Sequence, residues 1–199
     1  MSIKRDVEFL YEISAFRHLD RIWKQFLNAD VANNAEHSFR VAWIALTISK
    51  YENKGNHEKI LKMAMLHDLP ESRCGDVHYL SRQYVLRKEV EAMTHMCAST
   101  VHEKELNDLM KEYEDRKSIE SRIVKDADNL DVELDLNEQA AKGHSLGKIW
   151  TKDRKKQVYP KLFTKSGKKL WDEIAKTNPH DWHLNSPHNR FRMGDWSKK

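Results

Sequence analysis

The apolar positions of this 199-residue chain recur mostly every three or four residues, which is the period of an α-helix. Two-residue alternation, the pattern of a half-buried strand, is nearly absent. Glycine and proline, which commonly mark turns and loops, number only six and four. The pattern therefore predicts an all-α fold, and the length is enough for one domain with a complete core.

Four stretches carry the clearest helical stripes: 7–19, 35–51, 57–69 and 119–141. Their predicted inward residues are, in order, Phe9, Leu10, Ile13 and Phe16; Val41, Ile44, Ala45 and Ile48; Ile60, Met63, Ala64 and His67; and Ile123, Ala127, Leu130 and Leu134. Residues 81–116 are more polar and predict one or two exposed helices, and one or two further helices are expected within 149–176. We expect a helical core in 1–145 and a basic helical and irregular extension, packed on the same domain, in 146–199.

Two histidines occupy inward positions on separate predicted helices. His37 lies four residues before Val41, and His67 continues the stripe of Ile60 and Met63. Either one alone fits a core histidine that is satisfied by a hydrogen bond. Because each buried imidazole needs a partner, two of them suggest a shared metal ion that would satisfy both.

Carboxylates accompany these histidines at two places. Asp68 directly follows His67, and Asp128 lies next to the inward Ala127. Buried ionised carboxylates are costly unless they pair with a charge or bind a cation. Two nitrogens and two oxygens suit one divalent transition metal (Mn, Fe, Co, Ni or Zn), with Mg as a further candidate.

Two more acidic residues flank Asp128 on the same predicted helix. Asp126 and Asp131 are spaced so that at least one is expected to face solvent. We interpret this pair as a solvated edge or as outer support of the metal ligands.

The order His37, His67–Asp68 and Asp128 resembles the H…HD…D signature of the HD-domain metal-dependent phosphohydrolases, which are helical bundles. The stretches "EHSFRVA" (36–42), "HDLPESRCGD" (67–76) and "IVKDADNLD" (123–131) resemble more narrowly the 5'-deoxynucleotidase branch of that superfamily. This resemblance extends over residues 10–134. It implies that the four signature residues hold the metal, that Glu71 orients a water or exchanges its proton, and that Asp76 contacts a sugar hydroxyl or the Glu71 network.

The substrate side of this resemblance rests on "HLDRIWKQF" (18–26), with Arg21 as the phosphate ligand and Trp23 against the nucleoside. The family usually has its Arg and Trp adjacent or separated by Gly, whereas Ile22 lies between them here and Arg17 is also available. A helix-packing Trp23 therefore stays open. Capping or turn roles likewise stay open for Glu71 and for Asp76.

The resemblance implies removal of phosphate from (deoxy)nucleoside 5'-monophosphates by a metal-activated water. Three alternatives remain: triphosphate or pyrophosphate removal from (d)NTPs at the same site, a non-catalytic nucleotide- or RNA-binding helical module, and alarmone hydrolysis. The alarmone enzymes typically place two acids shortly after the HD pair, and "HDLPES" does not. The Glu71 and Asp76 pattern favours the monophosphate branch.

Charge is distributed unevenly along the chain. From Ala141 onward there are fifteen Lys or Arg residues and five Asp or Glu residues. Such a basic segment could attract phosphates, or it could be an ordinary solvated surface. A second His-Asp pair, His180–Asp181, follows Pro179 and lies on no apolar stripe, so we interpret the tail 178–199 as a docked segment, with Arg190 and Arg192 closing over a nucleotide as a weaker idea.

The remaining expectations concern location and partners. Cys74 and Cys97 form no CxxC motif, and no apolar stretch approaches the length of a membrane span. These features favour a cytoplasmic protein with a small nucleotide substrate, without a membrane or nucleic-acid partner. A homodimer is also expected, because related enzymes are often dimers, and residues 81–97 are a candidate contact.

Overall fold

The computed structural model describes residues 2–185, 187 and 188, and these form helices joined by short turns without a β-strand. The all-α fold class is therefore confirmed. The helices are α1 (Ile3–Ala15), α2 (Lys24–Leu27), α3 (Asn34–Glu52), α4 (His57–Leu66), α5 (Glu71–Cys74), α6 (Glu89–Cys97), α7 (Glu103–Asp115), α8 (Ile119–Ala141), α9 (Ser145–Gln157), α10 (Lys165–Ile174) and α11 (Asp181–Leu184).

Helix α8 is the centre of the bundle and packs against α3, α4, α7, α9 and α10. Its residues Ile123, Ala127 and Leu130 are fully buried, as their periodicity predicts. They meet Val41 and Ile60 of α3 and α4 in the same apolar cluster. Burial of this stripe from several sides holds α3, α4 and α8 together, and these are the helices that carry the predicted metal ligands.

The first helix differs in part from its prediction. Phe9 and Phe16 are buried, but Leu10 is 60% exposed and Ile13 is 36% exposed. The helix ends at Ala15, and a short 3-10 turn over Phe16–His18 follows it. Only one narrow edge of α1 faces the bundle, so the broader stripe expected from the sequence was wrong for these two residues.

The polar stretch 81–116 forms two helices, but they are not simply exposed. Met93 and Met96 of α6 and Met110 and Tyr113 of α7 belong to the buried core. The methionines fill the core on the inward side, while the polar residues cover the outward side.

The C-terminal part of the described chain shares the core. Trp171 of α10 is fully buried and belongs to the cluster that contains Leu130. The boundary after residue 145 stays a prediction, and Arg190 and Arg192 lie outside the described residues. Among the described residues, no helix has both the length and the apolar character that crossing a membrane requires.

Candidate metal centre and active site

The first turn of α3 presents His37 to the centre of the bundle. Asn33 caps the helix by accepting hydrogen bonds from the backbone N–H groups of Ala35 and Glu36. In turn, the Glu36 carboxylate accepts a hydrogen bond from the backbone N–H of Asn33. This capping box fixes where the helix begins. His37 is 1% exposed, and its Nδ1 lies 2.6 Å from Asp131 Oδ2 on α8.

His67 and Asp68 lie where α4 ends. The Nδ1 atom of His67 lies 2.8 Å from the carbonyl oxygen of Ala64, one turn earlier. Because a carbonyl oxygen only accepts, Nδ1 carries the hydrogen, and Nε2 is the ring nitrogen that remains for binding a metal. A tight turn then leads through Pro70 into α5.

The four predicted ligands converge on one point. His37 Nε2 lies 3.3 Å from His67 Nε2, 3.3 Å from Asp68 Oδ2 and 3.4 Å from Asp128 Oδ1. His67 Nε2 also lies 3.4 Å from Asp68 Oδ2. One ligand atom each from His37, His67 and Asp128 falls within 4.8 Å of the others, a spacing that can hold a metal ion.

The chemistry of this donor set fits a cation. The Nδ1 atom of His37 faces Asp131, and the Nε2 atoms of both histidines face each other and the Asp68 carboxylate. Burial and Arg21 lower the pKa of His37, but its bonds to Asp128, Asp131 and Asp68 outweigh them and raise it well above the usual value. A positive charge is therefore strongly favoured here, and a divalent metal bound by two nitrogens and carboxylate oxygens supplies it.

Two cations stabilise the ligand carboxylates. Arg21 Nη1 donates to Asp68 Oδ2 at 2.8 Å, and Lys125 Nζ lies 2.7 Å from Asp128 Oδ2. Burial alone would raise the pKa of Asp68, but His67, His37 and Arg21 lower it well below the usual range. Lys125 and His37 do the same for Asp128 against its burial. Both carboxylates are thus ionised and ready to bind a metal.

Glu71 begins α5 beside this cluster and is buried. Its Oε2 accepts from Asn34 Nδ2 at 2.7 Å, and its Oε1 accepts from Arg87 Nη1 at 2.7 Å. Burial, followed by the Asp68 and Asp76 carboxylates, raises its pKa to about 9, although Arg21 and Arg87 act in the opposite direction. The raised pKa makes the ionised Glu71 carboxylate a stronger base, which suits proton exchange with a water.

Asp76 connects α5 to the segment that carries Arg21. Gly75 has a φ of +76°, in the region that favours glycine, and it reverses the chain after α5. The reversal lets Asp76 Oδ2 accept from the backbone N–H of Ile22 at 2.9 Å. Arg21 is buried, and its guanidinium faces the Asp68, Asp76, Asp128 and Glu71 carboxylates, which keep its pKa above the usual value against its burial.

Trp23 lies in an adjoining cavity of about 350 Å³, which is lined by Trp23, Tyr79, Val132, Leu136, Trp150, Asp153, Arg154, Gln157 and Val158. The rings of Trp23 and Trp150 pack with centroids 5.4 Å apart. The indole N–H of Trp23 is buried and has no hydrogen-bond partner among the described residues. Val132, in the wall of this cavity, lies one helical turn after Asp128 on α8.

Asp126 and Asp131 are both buried, so the expectation that one of them faces solvent was wrong. Asp126 accepts from the backbone N–H groups of Phe163 and Thr164 at 2.9 and 2.8 Å and fastens the segment before α10 to α8. Asp131 holds His37 and pairs with Arg40. Both acids have their partners on other elements, which local periodicity does not reveal.

Sequence reasoning also missed Asn34 and Arg87, the two partners of Glu71. Asn34 lies three residues before His37, so the helical period places both on one face, and this signal was available. Arg87 lies in a connecting segment, and helical periodicity does not predict where the side chains of such a segment point.

The second His-Asp pair lies apart from the metal cluster. His180 is exposed, and its Nδ1 lies 3.2 Å from His183 Nε2, one turn along the chain. Asp181 accepts from Asn185 Nδ2 at 2.8 Å. Neither residue belongs to the candidate metal group found among the described residues.

The fold and this centre define an HD domain, and the family model of that description matches residues 13–171. The chain therefore belongs to the HD-domain family. It is 33% identical over 109 residues to 5'-deoxynucleotidase HDDC2 of Danio rerio, which covers 52% of this chain and 54% of that relative. It is 32% identical over 123 residues to 5'-deoxynucleotidase HDDC2 of Dictyostelium discoideum, covering 56% of this chain and 65% of that one. These alignments span less than two thirds of the two relatives' lengths.

Solved structures agree on the fold. A predicted metal-dependent phosphohydrolase from Magnetospirillum magnetotacticum superimposes with a TM-score of 0.68 at 20% identity, over 87% of this chain and 95% of that one. The PH0347 protein of Pyrococcus horikoshii gives a TM-score of 0.67 at 23% identity, over 87% and 98% of the two chains.

Proposed function

We propose that this protein is a metal-dependent phosphohydrolase that removes phosphate from (deoxy)nucleoside 5'-monophosphates. The observation that carries the proposal is the meeting of His37, His67, Asp68 and Asp128 at one point, with Glu71 buried beside them. The relatives named 5'-deoxynucleotidase support the same substrate class.

The cation implied by this donor set would be held by His37, His67, Asp68 and Asp128. When bound, it lowers the pKa of a coordinated water toward neutrality and withdraws charge from a phosphoryl oxygen. Zinc, manganese, cobalt, iron and nickel all suit two imidazoles and two carboxylates, so the donor set alone selects the class of metal.

Glu71 is the proton acceptor in this proposal. One of its oxygens takes a proton from the attacking water as the new P–O bond forms and the bond to the nucleoside 5'-oxygen breaks. The leaving 5'-oxygen receives a proton from solvent, and Glu71 releases its own proton to solvent, so that one monophosphate and one water give one nucleoside and one inorganic phosphate. Because each carboxylate oxygen has two lone pairs and only one internal donor, Glu71 keeps acceptor capacity for this water.

Arg21 binds the phosphate. Among the described residues, Arg21 donates from Nη1 to Asp68 at 2.8 Å, and in this proposal its other N–H groups donate to phosphate oxygens. Asp76 accepts from the backbone N–H of the neighbouring Ile22, which supports a role in positioning this guanidinium, and in this proposal its carboxylate also accepts from a sugar hydroxyl.

The cavity at Trp23 and Trp150 is the proposed nucleoside site. Its volume of about 350 Å³ and its aromatic walls suit a base and a sugar. The unpartnered indole N–H of Trp23 offers one donor to an oxygen or ring nitrogen of the nucleoside. This arrangement also explains how Arg21 and Trp23 act on the same substrate although Ile22 separates them.

Phosphate release tests the function. The protein, loaded with Mn, Co, Zn or Mg, is assayed on dNMPs, NMPs and dNTPs, together with the double variant His67→Ala, Asp68→Ala. A matched control, His180→Ala with Asp181→Ala, removes the second His-Asp pair instead. We expect activity on monophosphates in the wild type and the control, and a loss of about 1,000-fold or more in the His67, Asp68 variant.

Two outcomes would overturn this proposal in different ways. Full activity in the His67, Asp68 variant would show that the metal centre is not the active site. Faster hydrolysis of dNTPs than of dNMPs would favour the triphosphohydrolase alternative at the same centre.

A native gel filtration profile from the same preparation decides whether the expected homodimer forms.

A further inference from the structure

Asn34 is a fully buried amide at the start of α3. It is not needed to cap that helix, because Asn33 already accepts from the Ala35 and Glu36 N–H groups. Its Nδ2 instead donates to Glu71 Oε2 at 2.7 Å across the site. Burying a polar side chain this completely costs free energy of folding unless the side chain is hydrogen-bonded.

Arg87 completes the environment of Glu71 from the opposite side. It lies in the segment before α6 and donates Nη1 to Glu71 Oε1 at 2.7 Å, while it also pairs with Glu89 at 2.8 Å. Each oxygen of the Glu71 carboxylate thus has one side-chain donor, and the two donors come from separate elements. This arrangement fixes both the rotation and the position of the carboxylate.

The orientation of the Asn34 amide favours one state of Glu71. With Nδ2 toward Glu71, the Oδ1 atom of Asn34 is buried without a partner among the described residues. The reversed amide would place an oxygen against the Glu71 carboxylate, which is repulsive unless Glu71 carries a proton. Asn34 therefore supplies a hydrogen-bond donor that holds Oε2 of Glu71 in place.

We propose that Asn34 is a positioning residue that fixes the Glu71 carboxyl group at a set distance from the predicted metal ligands. Asn34 and His37 are three residues apart on one face of α3, so a single helical turn sets the separation between the proton acceptor and the centre. This inference rests on the proposed function, in which Glu71 exchanges the proton.

The other charges that face Glu71 stay in place when only Asn34 is changed. Asp68 and Asp76 favour its protonated form, and Arg21 and Arg87 favour its ionised form. A change at position 34 therefore isolates the effect of the amide on Glu71.

The test uses Asn34→Leu, which removes the donor at similar volume, and Asn34→Asp, which keeps the shape and adds a charge. Asn107→Leu is the matched control, because Asn107 is a half-buried amide on α7 that bonds Glu103 O and Cys97 Sγ away from the site. Carbon-13 NMR titration of the Glu71 carboxyl in the zinc-loaded proteins, assigned by Glu71→Gln, reports its ionisation directly. Zinc affinity, kcat and KM are measured on the same proteins.

We expect Asn34→Leu to raise the pKa of Glu71 by about one, because a donor to its charged form is lost, and Asn34→Asp to raise it further. The acid limb of the kcat/KM profile should move to higher pH in the same order, with kcat reduced about 10-fold or more in Asn34→Leu. KM and zinc affinity should stay within about twofold of wild type, which a general loss of structure would not allow. Asn107→Leu should leave the Glu71 titration unchanged.

An unchanged Glu71 titration and an unchanged kcat in Asn34→Leu would overturn the inference. If that variant does not fold, Asn34→Asp decides, since it differs from the wild type by a single polar atom. The NMR readout does not depend on turnover. A wild-type protein that is inactive on monophosphates would therefore refute the proposed function, while the titration would still decide the role of Asn34.

Discussion

At the scale of a single residue, His37 on α3 depends on groups from two other parts of the chain, α8 and the turn after α4. Asp131 fixes its Nδ1 at 2.6 Å, and its Nε2 faces Asp68 and Asp128 at 3.3 and 3.4 Å. Arg40 in turn pairs with Asp131. A carboxylate that holds the far nitrogen of a metal-binding histidine fixes the ring and increases its basicity.

Replacing this carboxylate should therefore weaken metal binding without removing a ligand. We expect Asp131→Asn to lower the affinity for zinc by about 10- to 100-fold, because the amide lacks the negative charge that orients the His37 ring. Competition with a chromophoric chelator measures the affinity. Glu138→Gln is the control, since Glu138 pairs with the same Arg40 at 2.8 Å, whereas the contact to His37 Nδ1 comes from Asp131. Equal affinities in Asp131→Asn and the wild type would contradict this role.

At the scale of a helix, α8 shows how far the sequence pattern can be taken. The stripe of Ile123, Ala127 and Leu130 predicts its buried face, and the helix runs over the expected residues. The pattern does not predict the buried acidic residues of α8, because Asp126 and Glu133 occupy positions that a polarity pattern assigns to solvent. Their partners come from segments 21 to 38 residues away along the chain, and only the folded chain brings these together.

The same limit applies to the site. Motif order and helical period are enough to place His37, His67, Asp68 and Asp128 together. Arg87, which holds Glu71 beside them, lies on a connecting segment whose direction depends on turn geometry. The sequence therefore predicts the ligands better than the groups that orient them.

The pair of Arg154 and Glu133 fastens α9 to α8. Arg154 Nε donates to Glu133 Oε2 at 3.3 Å, and its Nη2 donates to the carbonyl oxygen of Asn129 at 2.8 Å. Glu133 is fully buried, so removing Arg154 leaves a carboxyl group without its charge partner. We expect Arg154→Met to lower the free energy of unfolding by about 3 kcal/mol, measured by urea denaturation.

The neighbouring Lys155 is the matched control for this prediction. It pairs with Asp172 at the surface, where both side chains are 45% exposed, and Lys155→Met should cost about 0.5 kcal/mol or less. The double variant Glu133→Leu, Arg154→Met removes both charges and should recover most of the loss. An effect of Arg154→Met no larger than that of Lys155→Met would refute the buried pair as a fastening of α9.

At the scale of the whole molecule, the metal centre lies where α3, the end of α4 and α8 meet. These helices also share the apolar cluster of Val41, Ile60 and Leu130, so the centre and the core join the same elements. A metal that binds the folded chain and not the unfolded one stabilises the whole bundle. The electrostatics of the centre also favour a bound cation. Asp68 Oδ2 lies 3.3 Å from His37 Nε2 and 3.4 Å from His67 Nε2, and Asp128 Oδ1 lies 3.4 Å from His37 Nε2. A metal ion neutralises these two neighbouring carboxylates.

Metal removal should therefore lower the thermal stability of the entire domain in one transition. At a free zinc concentration 100 times its dissociation constant, we expect a melting temperature roughly 5–10 °C above that of the chelator-treated protein, followed by circular dichroism at 222 nm. His67→Ala should lose this difference, because it removes a central ligand, whereas His180→Ala should keep it, because His180 is exposed and remote from the centre. A zinc-dependent shift that persists in His67→Ala but disappears in His180→Ala would place the stabilising metal at the second histidine pair instead, since His180 and His183 are themselves close enough to share an ion.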